Sequence, residues 1–76
     1  MSWAYILLNT EPGQMENVLE KIKQINGVGE AHMVYGNYDI LIKVKSRNPK
    51  ELKTIVQNIR IQENVHSLIT LMVINE

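Results

Sequence analysis

Cysteine is absent from the 76 residues. No disulfide staples the fold, and thiol catalysis and cysteine-based zinc sites are excluded. A secretory leader is missing as well: the apolar stretch Trp3–Leu8 is too short for a signal-peptide core and has no basic segment before it. The longest apolar run falls far short of a membrane span. Net charge is also lacking, since eight Lys and Arg balance eight Asp and Glu. The basic residues read as scattered, with no recognition helix among them, so the chain is a poor candidate for gripping a phosphate backbone unaided. These absences fit a cytoplasmic protein with neither a membrane nor a direct DNA contact. Aspartate is almost missing too, and the one present, Asp39, stands out for that reason.

What is there reads as one small domain over residues 1–76. A domain this short buries only about 60% of its unfolded surface, so its stability is marginal unless something else helps. Trp3–Leu8 is short, aromatic and aliphatic, the pattern of a strand with two apolar faces. Glu11-Pro12-Gly13 turns the chain into a helix, in whose first turn Pro12 is suited to sit. Met15, Val18, Leu19, Ile22 and Ile25 recur at helical spacing, and Asn26-Gly27 supplies a left-handed stop. Val28–Tyr35 alternates as a second strand. Gly36-Asn37 is then the tip of a tight hairpin, because both residues accept positive φ cheaply. Tyr38–Lys45 returns with Ile40, Ile42 and Val44 on one face, and Asp39, Leu41, Lys43 and Lys45 on the other. Asn48, Pro49 and Glu51 form a capping-box start for a helix whose buried stripe is Leu52, Ile55, Val56 and Ile59. Val65–Ile74 is a last strand, again apolar on both faces.

The order βαββαβ predicts an α+β, ferredoxin-like fold: a four-stranded antiparallel sheet with two helices on one face. The connections place the third, first and fourth strands near the middle. Helices cover only one face, yet the first and fourth strands are apolar on both. Leaving Trp, Leu, Ile and Met side chains wet forfeits several kcal/mol at roughly 25 cal/mol per Å², out of about 5 in total. A second copy of the chain is therefore expected on the open face, as in a dimeric α+β barrel.

Chemistry-bearing residues are few. His32 and His66 have no partner at metal-ligand spacing. Ser67 and His66 are adjacent in a strand and point to opposite faces, which disfavours a nucleophile–base pair. Gly27-Val28-Gly29 lies at a helix end rather than before one and is no phosphate loop. Asp39 admits two roles. It caps backbone N–H groups near the turn, or it receives a ligand ammonium while free N–H groups at Gly36-Asn37 take a carboxylate.

Gly36-x-Tyr38-Asp39-Ile-Leu-Ile-Lys-Val44, the Ile-Asn-Gly-Val helix end and the final Asn64-Val65…Thr70-Leu-Met-Val together resemble the RAM domain, the effector domain of the Lrp/AsnC transcription regulators, over essentially the whole chain. The resemblance implies pairing through sheets, assembly of dimers into rings often of four dimers, and amino-acid effectors bound between dimers. It assigns effector contacts to Gly36, Asn37, Tyr38, Asp39 and Thr70, and Ser67 is expected to add a second hydroxyl from the last strand. It also implies no catalysis, no cofactor and full-length Lrp/AsnC regulators as partners. The chain begins directly with its first strand, where the family has a helix-turn-helix, and so looks like a stand-alone RAM domain. Asn37 replaces an aspartate common in relatives, and Leu68 replaces the first threonine of the last-strand pattern. The alternatives are a cofactor-free monooxygenase or isomerase of the same fold, which needs a polar pocket between helices and sheet, and a pure oligomerisation module.

Overall fold

Alternation in the first strand sorts its side chains cleanly. In the computed structural model, which describes residues 2–74, Ala4, Ile6, Leu8 and Thr10 of β1 (Ser2–Thr10) are buried, while Trp3, Tyr5, Leu7 and Asn9 are half-buried on the other side. Then follow α1 (Met15–Lys23), β2 (Val28–Met33), β3 (Ile40–Ser46), α2 (Pro49–Arg60) and β4 (Val65–Met72). The expected βαββαβ fold is formed, with every strand pair antiparallel. Ile40, Ile42 and Val44 of β3 join Val18, Leu19 and Ile22 of α1 and Leu52, Ile55 and Ile59 of α2 in one aliphatic core.

The strand order is β2-β3-β1-β4. The first and third strands are central, as expected, but the fourth lies at an edge. Each β-α-β crossover leaves a gap one strand wide. β3 fills the first gap and β1 fills the second, which pushes β2 and β4 outward. Edge position explains why Leu71 and Met72 of β4, one on each face, are both 51% exposed.

Both helix-to-strand turns repeat one device. The Gly27 oxygen accepts from Lys45 N–H at 2.9 Å, and the Asn64 oxygen accepts from Glu11 N–H at 2.9 Å. Gly27 has φ +99° and Asn64 φ +71°, the one positive-φ non-glycine among the described residues. Gly27 is further constrained because a Cβ there would run into the Ile55 side chain. Asn26-Gly27 serves this turn, closed by Val28 N–H on the Ile25 oxygen, rather than capping α1, whose C-cap is Gln24. Pro12 likewise sits in the turn before α1, outside the helix.

α2 starts as its sequence predicts, with Pro49 at its first position and Asn48 Oδ1 accepting the Glu51 N–H at 2.8 Å. The reciprocal bond is displaced by one residue. Glu51 Oε1 accepts from Arg47 N–H at 3.0 Å, and Oε2 takes the Arg47 guanidinium. Six of the eight basic residues fall between Lys43 and Arg60 rather than being scattered. Lys43 and Lys45 lie on the sheet face, Arg47 just before α2, and Lys50, Lys53 and Arg60 on the exposed side of α2.

Candidate functional site

Two surfaces of the sheet carry chemistry. The first is the face away from the helices, where Trp3, Tyr5 and Leu7 of β1 lie beside Leu41 and Lys43 of β3 and Ile69 and Leu71 of β4. Trp3 and Tyr5 meet edge to face with centroids 5.4 Å apart, and Lys43 Nζ stands 4.7 Å from the Trp3 ring centre. Glu30 of β2 faces Lys43 across the strands and bonds His32 Nε2 at 3.1 Å. The bond to His32, followed by the Lys43 charge, holds the Glu30 carboxyl below its ordinary range. The result is an apolar stripe with a polar border along the β2 edge.

The second surface is the end of the sheet where β1 finishes. The expected two-residue hairpin is absent. β2 stops at Met33, β3 starts at Ile40, and residues 34–39 form a loop closed by Val34 N–H on the Asp39 oxygen at 2.9 Å. Gly36 alone takes positive φ, at +145°, and Asn37 does not. The physical reason lies at Asp39, whose N–H is drawn onto the Leu8 oxygen of β1 at 2.9 Å. Its Oδ2 accepts the Thr10 N–H at 2.9 Å and the Thr10 hydroxyl at 3.4 Å. The loop is thus stitched to the last residues of β1 through both backbone and carboxylate. Val34, Tyr35 and Tyr38 lie outside the strands as a consequence.

On the other side of β1, the register slips between Asn9, which faces Ser67, and Thr10, which faces Val65. His66 is the extra residue of this bulge. Its Nε2 meets Glu11 Oε1 at 2.7 Å, and Asn9 Nδ2 donates to Ser67 Oγ at 3.0 Å. The slip returns Val65 to the helix side, against the core, while Ser67, Ile69 and Leu71 stay on the open face. Bulges of this kind re-aim side chains and recur beside functional sites.

Of the residues nominated from sequence, Gly36, Asn37, Tyr38 and Asp39 share one loop. Asp39 and Ser67 flank the same end of β1 from opposite sides. Thr70 is not among them. It faces Ile6 on the helix side, and its hydroxyl is buried without a hydrogen-bond partner. The contacts that Asn9, Thr10, Glu11 and His66 make at this end were not anticipated. Thr10 and Glu11 precede a turn and look like punctuation in sequence, and only the bulge brings His66 to Glu11. Among the described residues no three His, Cys, Asp or Glu converge as a metal ion would need, and no helix is long and apolar enough to cross a membrane.

A four-stranded antiparallel sheet with two helices on one face and the other face open defines a ferredoxin-like α+β domain. More specifically, the chain belongs to the Lrp/AsnC ligand binding domain family, whose model matches residues 3–76. The crystal structure of protein PHS023 from Pyrococcus horikoshii is 35% identical, with TM-score 0.90, covering all of this chain and 93% of that one. E. coli AsnC is 26% identical, with TM-score 0.90, over 99% of this chain and 52% of its own. A homocitrate synthase from Sulfurisphaera tokodaii is 39% identical over 59 residues, or 78% of this chain. The chain spans only 13% of the length of that enzyme.

Proposed function

We propose that this chain is a non-enzymatic, ligand-sensing domain that pairs through its open sheet face, takes an amino acid or similar small effector at the β1 end, and modulates regulators of the Lrp/AsnC type. The observation that carries this reading is the stitched loop. Asp39 uses Oδ2 to hold Thr10, which leaves Oδ1 to receive an ammonium, with Asn9 of β1 and, across β1, Ser67 of β4 along the same end of the sheet. Gly36 and Asn37 offer N–H groups to a carboxylate at the exposed tip. Rings of such pairs place a neighbouring dimer against this end. Regulation then acts through a partner that carries the DNA-binding element.

The space where an enzyme of this fold would keep a polar pocket is filled by Ile6, Ile22, Ile42, Leu52 and Ile59, all 0–1% exposed, which favours sensing over catalysis. The likeness to archaeal homocitrate synthases favours a second reading: the same effector response directed at a biosynthetic enzyme in place of a transcription regulator.

A thermal-shift panel of the twenty amino acids tests the shared core of both readings. An effector at a hundred times its dissociation constant stabilises the fold by about 2.7 kcal/mol, a shift of several degrees in a domain this size. Asp39→Asn weakens that binding roughly ten- to a hundred-fold, the worth of one charge-assisted bond. If no amino acid moves the wild-type transition, the amino-acid reading fails.

A further inference from the structure

Charge on this chain sums to zero, but its cations divide into those with a partner and those without. Arg47 is paired with Glu51 at 3.0 Å, Lys21 lies 4.0 Å from Glu63, and Lys43 stands over the Trp3 ring. Lys50, Lys53 and Arg60 pair with no carboxylate among the described residues. All three are exposed on α2, whose opposite side buries Leu52, Ile55 and Ile59. Steps of three, four and three residues put Lys50, Lys53, Gln57 and Arg60 on one outward stripe, about 15 Å long at the helical rise. Exposed Thr54 and Asn58 flank it. Glu51 is the one acid of α2, and Arg47 holds it.

We propose that this stripe lies against the phosphate backbone of duplex DNA, as a sequence-independent contact. Its chemistry distinguishes DNA from a protein partner. A protein interface centres on apolar and aromatic side chains and is poor in Lys. No large apolar side chain of α2 is exposed, and the nearest such residue, Ile61, lies past the helix end. DNA calls instead for cations and hydrogen-bond donors, which the stripe and its flanks supply. A row about 15 Å long is too extended to close on one small anion, whereas a DNA strand presents a phosphate about every 3.4 Å. Because α2 covers the helix side of the sheet, the stripe stays open when the other face is paired. Three such contacts are weak, and the chain does not grip DNA unaided at physiological salt. A partner that carries a DNA-binding element raises the effective concentration. That role, though not the contact itself, rests on the regulatory function proposed for the chain.

Fluorescence anisotropy of a labelled duplex of about 20 base pairs, titrated with the full chain to about 1 mM, tests the contact without effector or partner. Neutralising three phosphates gives a slope of about −2.7 in log affinity against log salt, so binding weakens roughly 80-fold between about 20 and 100 mM salt. Lys53→Glu and Arg60→Gln each lower that slope by at least about one, and Lys53→Glu weakens binding at least about tenfold. Lys23→Glu makes the same change in net charge at an exposed, unpaired position on α1, and it keeps wild-type affinity within about twofold. All three variants keep the wild-type melting temperature. No binding by wild type at the lower salt overturns the proposal. So does a Lys23→Glu chain weakened as much as Lys53→Glu, since net charge then explains the effect. Labelled poly-glutamate that binds wild type where the duplex does not makes the stripe a site for acidic protein, which also overturns it. None of these outcomes bears on the thermal-shift test of the effector, so the two ideas fail separately.

Discussion

Replacing Asp39 with alanine removes the acceptor that ties the residue 34–39 loop to β1. Thr10 is 7% exposed, so its N–H has no water to turn to once the carboxylate is gone. A buried donor left unsatisfied costs about 1–3 kcal/mol, and a hydrogen bond to a charged group contributes about 1.5–3. Both Thr10 bonds share Oδ2, so the two figures describe one loss and are not added. About 2 kcal/mol is the expected cost. At about 4–8 °C per kcal/mol for a domain of this length, the melting temperature falls by roughly 8–16 °C. Asp39→Asn keeps an acceptor and loses the charge, and costs about half as much. Thr10→Val removes only the 3.4 Å hydroxyl contact, near the limit of a useful bond, and costs less than about 0.5 kcal/mol. The assay is thermal unfolding followed by circular dichroism, without amino acids and at one fixed protein concentration, since pairing makes the midpoint concentration-dependent. An Asp39→Ala chain that melts within about 2 °C of wild type would refute the stitch. The carboxylate would then be held for a ligand alone.

Three further expectations concern other parts of the chain. Leu71→Lys puts a charge at a 51% exposed position on the open face and converts the pair to monomer by light scattering at micromolar concentration; an unchanged mass places the interface elsewhere. Thr70→Val removes a buried hydroxyl that has no partner and raises stability by about 1 kcal/mol in urea unfolding, whereas a loss of that size means the hydroxyl is bonded after all. Glu51 is held below its ordinary value of 4.5, first by the Arg47 N–H and then by the Arg47 side chain. Its folded-state pKa is depressed, so its contribution is present above pH 4.5 and is lost as pH falls through the lower folded value. Glu51→Gln should therefore flatten the loss of stability below pH 4.5, and an acid-unfolding curve that superimposes on wild type rules the contribution out.

The order of elements was legible in sequence because each depends on neighbours a few residues apart. Alternation marks β1, three-and-four spacing marks both helices, and Asn48-Pro49 with Glu51 marks the start of α2. The two-faced apolar pattern of Trp3–Leu8 also required an open, greasy sheet face, whatever its neighbours. Tertiary structure decided the rest. Gly36-Asn37 reads locally as a tight turn, but the pull of the Leu8 oxygen and the Thr10 N–H on Asp39 opens it into a longer loop. The place of β4 at an edge follows from how two crossovers interleave, which no local pattern encodes. Thr70 is separated from Ser67 by the pleat, and His66 reaches Glu11 through a bulge whose register depends on β1. Local propensity fixes which residues form strands and helices, whereas pairing between distant strands fixes which side chains meet.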